Sequence, residues 1–178
     1  MTTTIKNKQS ILTKLLRAIY VDIIDTEDRV SNSNYRMTLL IPKHDKEMLD
    51  QIEQAVQAAI YKEWKDNVPG FIDGSLKDGD GKMYSGDSYP EYCKGHYLLK
   101  VTSRTAPDVV DMRKQPITDT EQLNFKSLYR VLIRAYAVSN EDRNAVYFGL
   151  NAVQKSDKTA TIPRRPATDL PSNLLKAN

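Results

Sequence analysis

With 178 residues, 40% of them hydrophobic and 28% charged, the chain is long enough for one domain with a real core and too balanced in composition for wholesale disorder. No apolar stretch approaches the ~18–20 residues that cross a bilayer. The opening MTTTIKNKQSILTKLL has neither the long apolar run nor the small-residue cleavage site of a secretory signal. The single Cys93 cannot form an internal disulfide, which suits a reducing compartment. The net charge of +3 is unevenly spread: residues 1–93 hold 12 Lys/Arg against 15 Asp/Glu, a balance of −3, and residues 94–178 hold 14 against 8, a balance of +6. Cys93–Pro107, Gln122–Asn140 and Arg143–Ser156 contain no acid at all. Acid-free, strand-like stretches in a basic half are the footprint expected of a polyanion partner.

In chain order, QSILTKLLRA (9–18) reads as a short helix with Ile11, Leu12, Leu15 and Leu16 on one side. IYVDIID (19–25) and YRMTLLI (35–41) read as strands joined through the polar TEDRVSNSN. Asp45 is a suitable N-cap for a helix running to about Trp64, whose buried face would carry Met48, Ile52, Ala55, Val56, Ala59 and Ile60. The glycine- and aspartate-rich stretch from Asn67 to Glu91 reads as a long loop. Strands follow at 96–102, near 109–112, at 127–138 and at 145–150, the last two joined by the hairpin turn NEDRN (140–144). The expected fold is mainly β with one prominent helix (α+β), an OB-fold-like barrel of five to six strands over residues 1–156, with a flexible polar tail at 157–178. Strands and helices do not alternate, which argues against an α/β sheet.

Familiar catalytic and cofactor motifs are incomplete. GDGKMYS resembles a phosphate loop, but Leu76 stands where the first glycine is needed and Met83 follows the lysine in place of Ser/Thr. In DGDG (78–81), Lys82 falls at the position of the fifth calcium ligand. Two histidines and one cysteine cannot build a structural zinc site without carboxylate help. Cys93 and His96 are too close in sequence to pair as nucleophile and base, and the thiol reads as structural. The sequence therefore supports no catalytic residues, metal or cofactor.

The strand at 127–138 carries the functional argument. Its odd positions, Tyr129, Val131, Ile133, Ala135 and Ala137, suit a barrel interior, and its even positions place Arg130, Arg134 and Tyr136 on the other face. Cations spaced among aromatic rings are what single-strand binders use, the charges following phosphates while rings take bases. The strand at 96–102 offers a parallel case: His96, Leu98 and Lys100 share one face, and Tyr97, Leu99 and Val101 the other. Ten tyrosines against three Phe and one Trp suit a half-wet groove.

Four segments, YRMTLLIPKHDKE (35–47), SYPEYCKGHYLLKVTS (88–103), LYRVLIRAYAVSN (128–140) and VYFGLNAVQK (146–155), resemble the tailed-phage single-stranded DNA-binding proteins, a family long catalogued as a phage domain of unknown function. The resemblance implies an OB-fold core, sequence-independent binding of single-stranded DNA in phage replication or recombination, no catalytic site, and a place in the cytoplasm of the infected bacterium. It points to Tyr89-Pro90-Glu91-Tyr92, to Lys94, Gly95, His96 and Tyr97, to Tyr129, Arg130 and Tyr136, and to Phe148-Gly149-Leu150-Asn151. With the strand alternation, the expected DNA contacts are Arg36, Tyr89, Tyr92 and Lys94, then Tyr97, Lys100 and Arg104, then Arg130, Arg134, Tyr136 and Tyr147. Phage replication proteins would be further partners; where such single-strand binders commonly carry a recruiting acidic tail, residues 157–178 hold Lys158, Arg164, Arg165 and Lys176 against Asp157 and Asp169, so either that device is absent or the sequence is truncated before it. The competing reading is a phage interaction or structural protein whose Tyr/Arg-rich face meets a partner protein.

Overall fold

The computed structural model describes residues 8–159, which fold around one barrel. Its elements are β1 (Ser10–Leu12), β2 (Leu16–Asp22), β3 (Tyr35–Pro42), α1 (Lys46–Trp64), β4 (Asp73–Gly74), β5 (Leu76–Asp78), β6 (His96–Ser103), β7 (Asp108–Val110), β8 (Ser127–Ser139) and β9 (Asn144–Thr159). The antiparallel pairs β2–β3 and β3–β6 continue into a parallel β6–β9 contact. β9 returns antiparallel along β8, and β8 pairs β2 to close a five-stranded ring. This is the OB topology expected from the strand content, with the helix inserted between β3 and β6.

The core follows strict alternation. Met37, Leu39 and Ile41 of β3, Leu99 and Val101 of β6, and Tyr129, Val131, Ile133 and Ala135 of β8 all point inward and are fully buried. Each such aliphatic side chain contributes about 1.5–3 kcal/mol by leaving water. The one buried hydroxyl among these residues, that of Tyr129, donates to the Asn124 carbonyl at 2.8 Å, and burial raises its pKa. Helix α1 packs Met48, Ile52, Ala55 and Ala59 into the same core, with Val56 and Ile60 half-buried beside them, as its spacing predicts.

Three local expectations are corrected. Residues 9–18 are not helical: β1 and the start of β2 are two pieces of one edge lying along β8, with Ser10–Leu12 opposite Arg134–Leu132 and Leu16–Arg17 opposite Tyr129–Leu128. Between the pieces, Thr13 donates its N–H to the Val131 carbonyl and accepts the Val131 N–H on Oγ1, both at 2.9 Å. The 67–91 stretch is not all loop. β5 runs antiparallel to β6 and β4 parallel to β9, filling the gap where β6 and β9 diverge. Finally, β9 extends to Thr159, well past residue 150, because β8 and β7 pair with its whole length. The tail expected over 157–178 thus begins inside β9, and from residue 160 onward it lies outside the described residues.

Asp45 caps α1, accepting the Met48 N–H at 3.1 Å and an ion pair from Lys14 at 3.0 Å. Both contacts, the backbone one first, favour the carboxylate and lower its pKa. A carboxyl whose folded pKa is depressed stabilises above its unfolded value and loses that contribution as pH falls through the folded value. Asp45→Ala is therefore expected to cost about 1 kcal/mol at pH 7. The gap between the urea midpoints of wild type and variant should close as pH drops below about 4, the ordinary aspartate range. A gap of constant size down to low pH would contradict the cap.

Candidate nucleic-acid interface

The strand register lines up the outward side chains in two adjacent rows across the barrel. One row runs Asp22, Arg36, Thr102, Gly149 and Arg134, each paired with the next. The other joins Tyr20, Thr38 and Lys100, and continues through Tyr147 to Tyr136. Lys100 and Tyr147 each precede by one residue the paired Val101 and Phe148. An arginine therefore stands toward each end of the first row, and the second has a ring at each end with a lysine between.

Between these rows and the β4–β5 insertion lies a groove of about 550 Å³. Its floor is Thr38, Leu98, Lys100 and Thr102, its far wall is Tyr136 and Tyr147, and its near wall is Asp73 and Lys77, with Arg143 reaching in from the β8–β9 turn. The two tyrosine rings lie 6.1 Å apart at 47°, and Tyr136 spreads over Gly149, where any Cβ would sit at van der Waals contact with the ring. Arg143 donates to the Tyr147 hydroxyl at 3.0 Å, which fixes that ring and raises the arginine pKa. Asp73 is the one acid in the lining, 3.8 Å from Lys77 and 4.0 Å from Arg143. The site combines a half-wet aromatic wall with cations on three sides, a geometry suited to a polyanion that carries flat rings.

Of the residues expected from the sequence, Lys100, Tyr136 and Tyr147 meet in the groove, and Arg36 and Arg134 border it in the adjacent row. Arg36 also lies 5.6 Å above the Tyr20 ring. Arg130 shares the outer face of β8 with Tyr136 but stands six residues away, about 20 Å along the strand. Tyr97 is on the inner parity of β6 with Leu99 and Val101, packed against the core, with the Lys43 ammonium 5.0 Å from its ring. Tyr89 covers Leu40, Leu98 and Cys93 in a small apolar cluster outside the barrel, and burial raises the Cys93 pKa. Tyr92 and Lys94 are exposed on the same segment, Lys94 paired with Glu91 at 2.7 Å, and Arg104 is exposed in the turn after β6.

Lys77, Arg143, Asp73 and Tyr20 were not anticipated. Arg143 had a readable signal, a cation in the hairpin turn four residues before Tyr147; Lys77 and Asp73 depend on the pairing of β4 and β5. The DGDG segment has a structural role. Lys43 bridges Asp78 and Asp80, the latter at 2.7 Å, lowering the pKa of both carboxylates. Gly79 packs so tightly that a Cβ there would overlap the carbonyl oxygens of Cys93 and His96. Among the described residues no three His, Cys, Asp or Glu side chains are grouped to hold a metal ion, and no helix is long and apolar enough to cross a membrane.

The model of a family described as the Enterobacter phage Enc34 ssDNA-binding protein matches residues 9–167. The chain belongs to this family. The Enc34-type fold is visible in solved structures as well. The single-stranded DNA-binding protein from bacteriophage Enc34, solved in complex with ssDNA, superposes with a TM-score of 0.70 at 18% identity, over 88% of this chain and 90% of that one. The single-stranded DNA binding protein gp2.5 of bacteriophage T7 superposes with a TM-score of 0.57 at 18% identity, over 92% and 96%. By sequence, protein p50 of Acyrthosiphon pisum secondary endosymbiont phage 1 is 25% identical over 130 residues, 67% of each chain.

Proposed function

We propose that this chain binds single-stranded DNA without sequence preference and protects it during phage DNA replication or recombination in the cytoplasm of the infected host, as a binding protein rather than an enzyme. Membership of a family of phage single-stranded DNA-binding proteins supports the function. The observation that carries the site is the groove of β3, β6, β8 and β9, where Tyr136 and Tyr147 form a stacking wall beside Lys100, Lys77 and Arg143. Arg36 and Arg134 extend the charge along the neighbouring row. Backbone charge holds the strand, the rings take bases by their faces, and because every base has a face the binding is indifferent to sequence.

Titration of a mixed-sequence oligonucleotide against salt tests this reading. Each phosphate neutralised on a single strand contributes about −0.7 to the slope of log affinity on log salt, so four or five cations in play give a slope of about −3. Homopolymers of different base should bind within a few-fold of one another. Failure to bind, or a slope near zero, overturns the proposed groove.

A further inference from the structure

We propose that Lys43, which lies outside the groove, is a positioning residue for DNA binding: its bridge to Asp78 and Asp80 pins β5 so that Lys77 stands in the near wall. This rests on the reading of the groove as a single-strand site and adds to it residues that touch no DNA. The near wall is sparsely tied to the barrel. β5 holds to β6 through Leu76–Leu99, Lys77–Leu98 and Asp78–Tyr97, and β4 holds to β9 through Asp73–Ala145 and Gly74–Val146. Segments with so few ladder partners are the first to open locally. At the β4 end, Ser75 adds a tie by donating from Oγ to the Val146 carbonyl at 2.6 Å.

At the β5 end the tie is a clasp centred on Lys43. This residue follows β3 directly, and its N–H donates to the Gly95 carbonyl at 2.9 Å. Its ammonium bridges Asp78 and Asp80, the latter at 2.7 Å, and lies 5.0 Å from the Tyr97 ring. Asp80 also accepts the Gly95 N–H at 3.0 Å, and Asp78 accepts the Asp80 N–H at 2.9 Å. Gly79, between the two acids, donates to the His96 carbonyl at 2.9 Å and has no room for a Cβ. The end of β3, the end of β5 and the approach to β6 thus converge on one ammonium.

Lys77 is the side chain this arrangement places. It pairs with Leu98 of the groove floor, lines the groove, and immediately precedes Asp78. Lys43, Asp78 and Asp80 do not line the groove. Thr38 of the floor precedes Lys43 by five residues on β3, about 16 Å along an extended strand. Lys43 therefore acts on a phosphate in the groove through β5 rather than by contact. The acids point the same way. Two carboxylates next to a polyanion site repel the ligand by charge alone, and the clasp gives them a task that offsets this.

That opposition of signs makes the test, read by titrating an oligothymidylate of about 12 nucleotides against salt. Asp78→Ala/Asp80→Ala removes two negative charges beside the groove, so charge alone predicts tighter binding. The clasp predicts binding roughly threefold weaker or more, with a salt slope shallower by about 0.7, the share of one phosphate contact. Lys77→Ala should show the same change, and adding it to the double variant should cost little more, since both act on one contact. Lys43→Arg should bind as wild type, because a guanidinium can bridge two carboxylates. Hydrogen exchange at the Leu76–Asp78 amides should quicken in the double variant while the β8 amides keep their protection. Unchanged or tighter binding by the double variant, or a full further loss on adding Lys77→Ala, would overturn the positioning role. So would a loss of protection across the whole barrel, which would reduce the clasp to fold stability. If wild type itself binds no DNA, the groove reading fails and takes this inference with it.

Discussion

Tyr136→Ala is expected to weaken single-stranded DNA binding by roughly tenfold or more, since a base stacked on an aromatic ring is worth about 1–3 kcal/mol. The deficit should persist at high salt, because stacking is not screened as ion pairs are. Tyr136 is 39% accessible, and its ring packs beside Gly149. Its removal leaves Tyr147 in place, held independently by the Arg143 hydrogen bond at 3.0 Å. Tyr136→Phe keeps the ring and should bind almost as wild type. Fluorescence or anisotropy titrations at low and high salt distinguish the mechanisms. If the alanine variant binds normally while Lys100→Ala and Arg143→Ala fail, the face is a charge strip and the stacking lies elsewhere.

The parts of this site that could be read from sequence are those governed by period-two alternation within one long strand. β8 shows it: Val131, Ile133 and Ala135 are buried while Leu132, Arg134 and Tyr136 are exposed, so parity alone assigned each side chain to a face. In β6 the sequence reading counted both Lys100 and Tyr97 as contacts although they alternate to opposite faces; the structure turns Lys100 outward and packs Tyr97 against the core, outside the groove lining. The helix was legible for an equally local reason, a capped 19-residue segment whose apolar positions recur on one face.

What escaped the sequence depends on partners far away in the chain. Ile11, Leu12, Leu15 and Leu16 fit a helical stripe locally, yet the backbone of this segment pairs with β8 through Thr13 and Val131, 118 residues apart. A strand of three residues such as β1 has no local signature strong enough to announce that pairing. The insertion β4–β5 is similar: its glycines and aspartates read as turn residues, and only the divergence of β6 from β9 creates the slot it fills. Lys77 and Asp73 reach the groove by way of that slot, so their role was invisible until the barrel was closed.

Because the two faces of the barrel wall have separate tasks, stability and binding should come apart on mutation. Ile133 is fully buried in the middle of β8, opposite Leu150 of β9, and Ile133→Ala should cost about 2–5 kcal/mol through lost burial and the cavity left behind. For a domain of this size that lowers the melting temperature by several degrees or more. The protein that remains folded should bind DNA with nearly wild-type affinity, since no groove atom has changed. Lys100→Ala is the complement: an exposed side chain on β6, paired across to Thr38, whose loss should leave the melting temperature nearly unaltered. It should weaken DNA binding and make the salt slope shallower by about 0.7, the share of one phosphate contact. Calorimetry and salt-dependent titration on the two variants would decide the matter. A destabilised Lys100→Ala with intact binding, alongside a stable Ile133→Ala that no longer binds, would invert the assignment of inner and outer faces and with it the location of the groove.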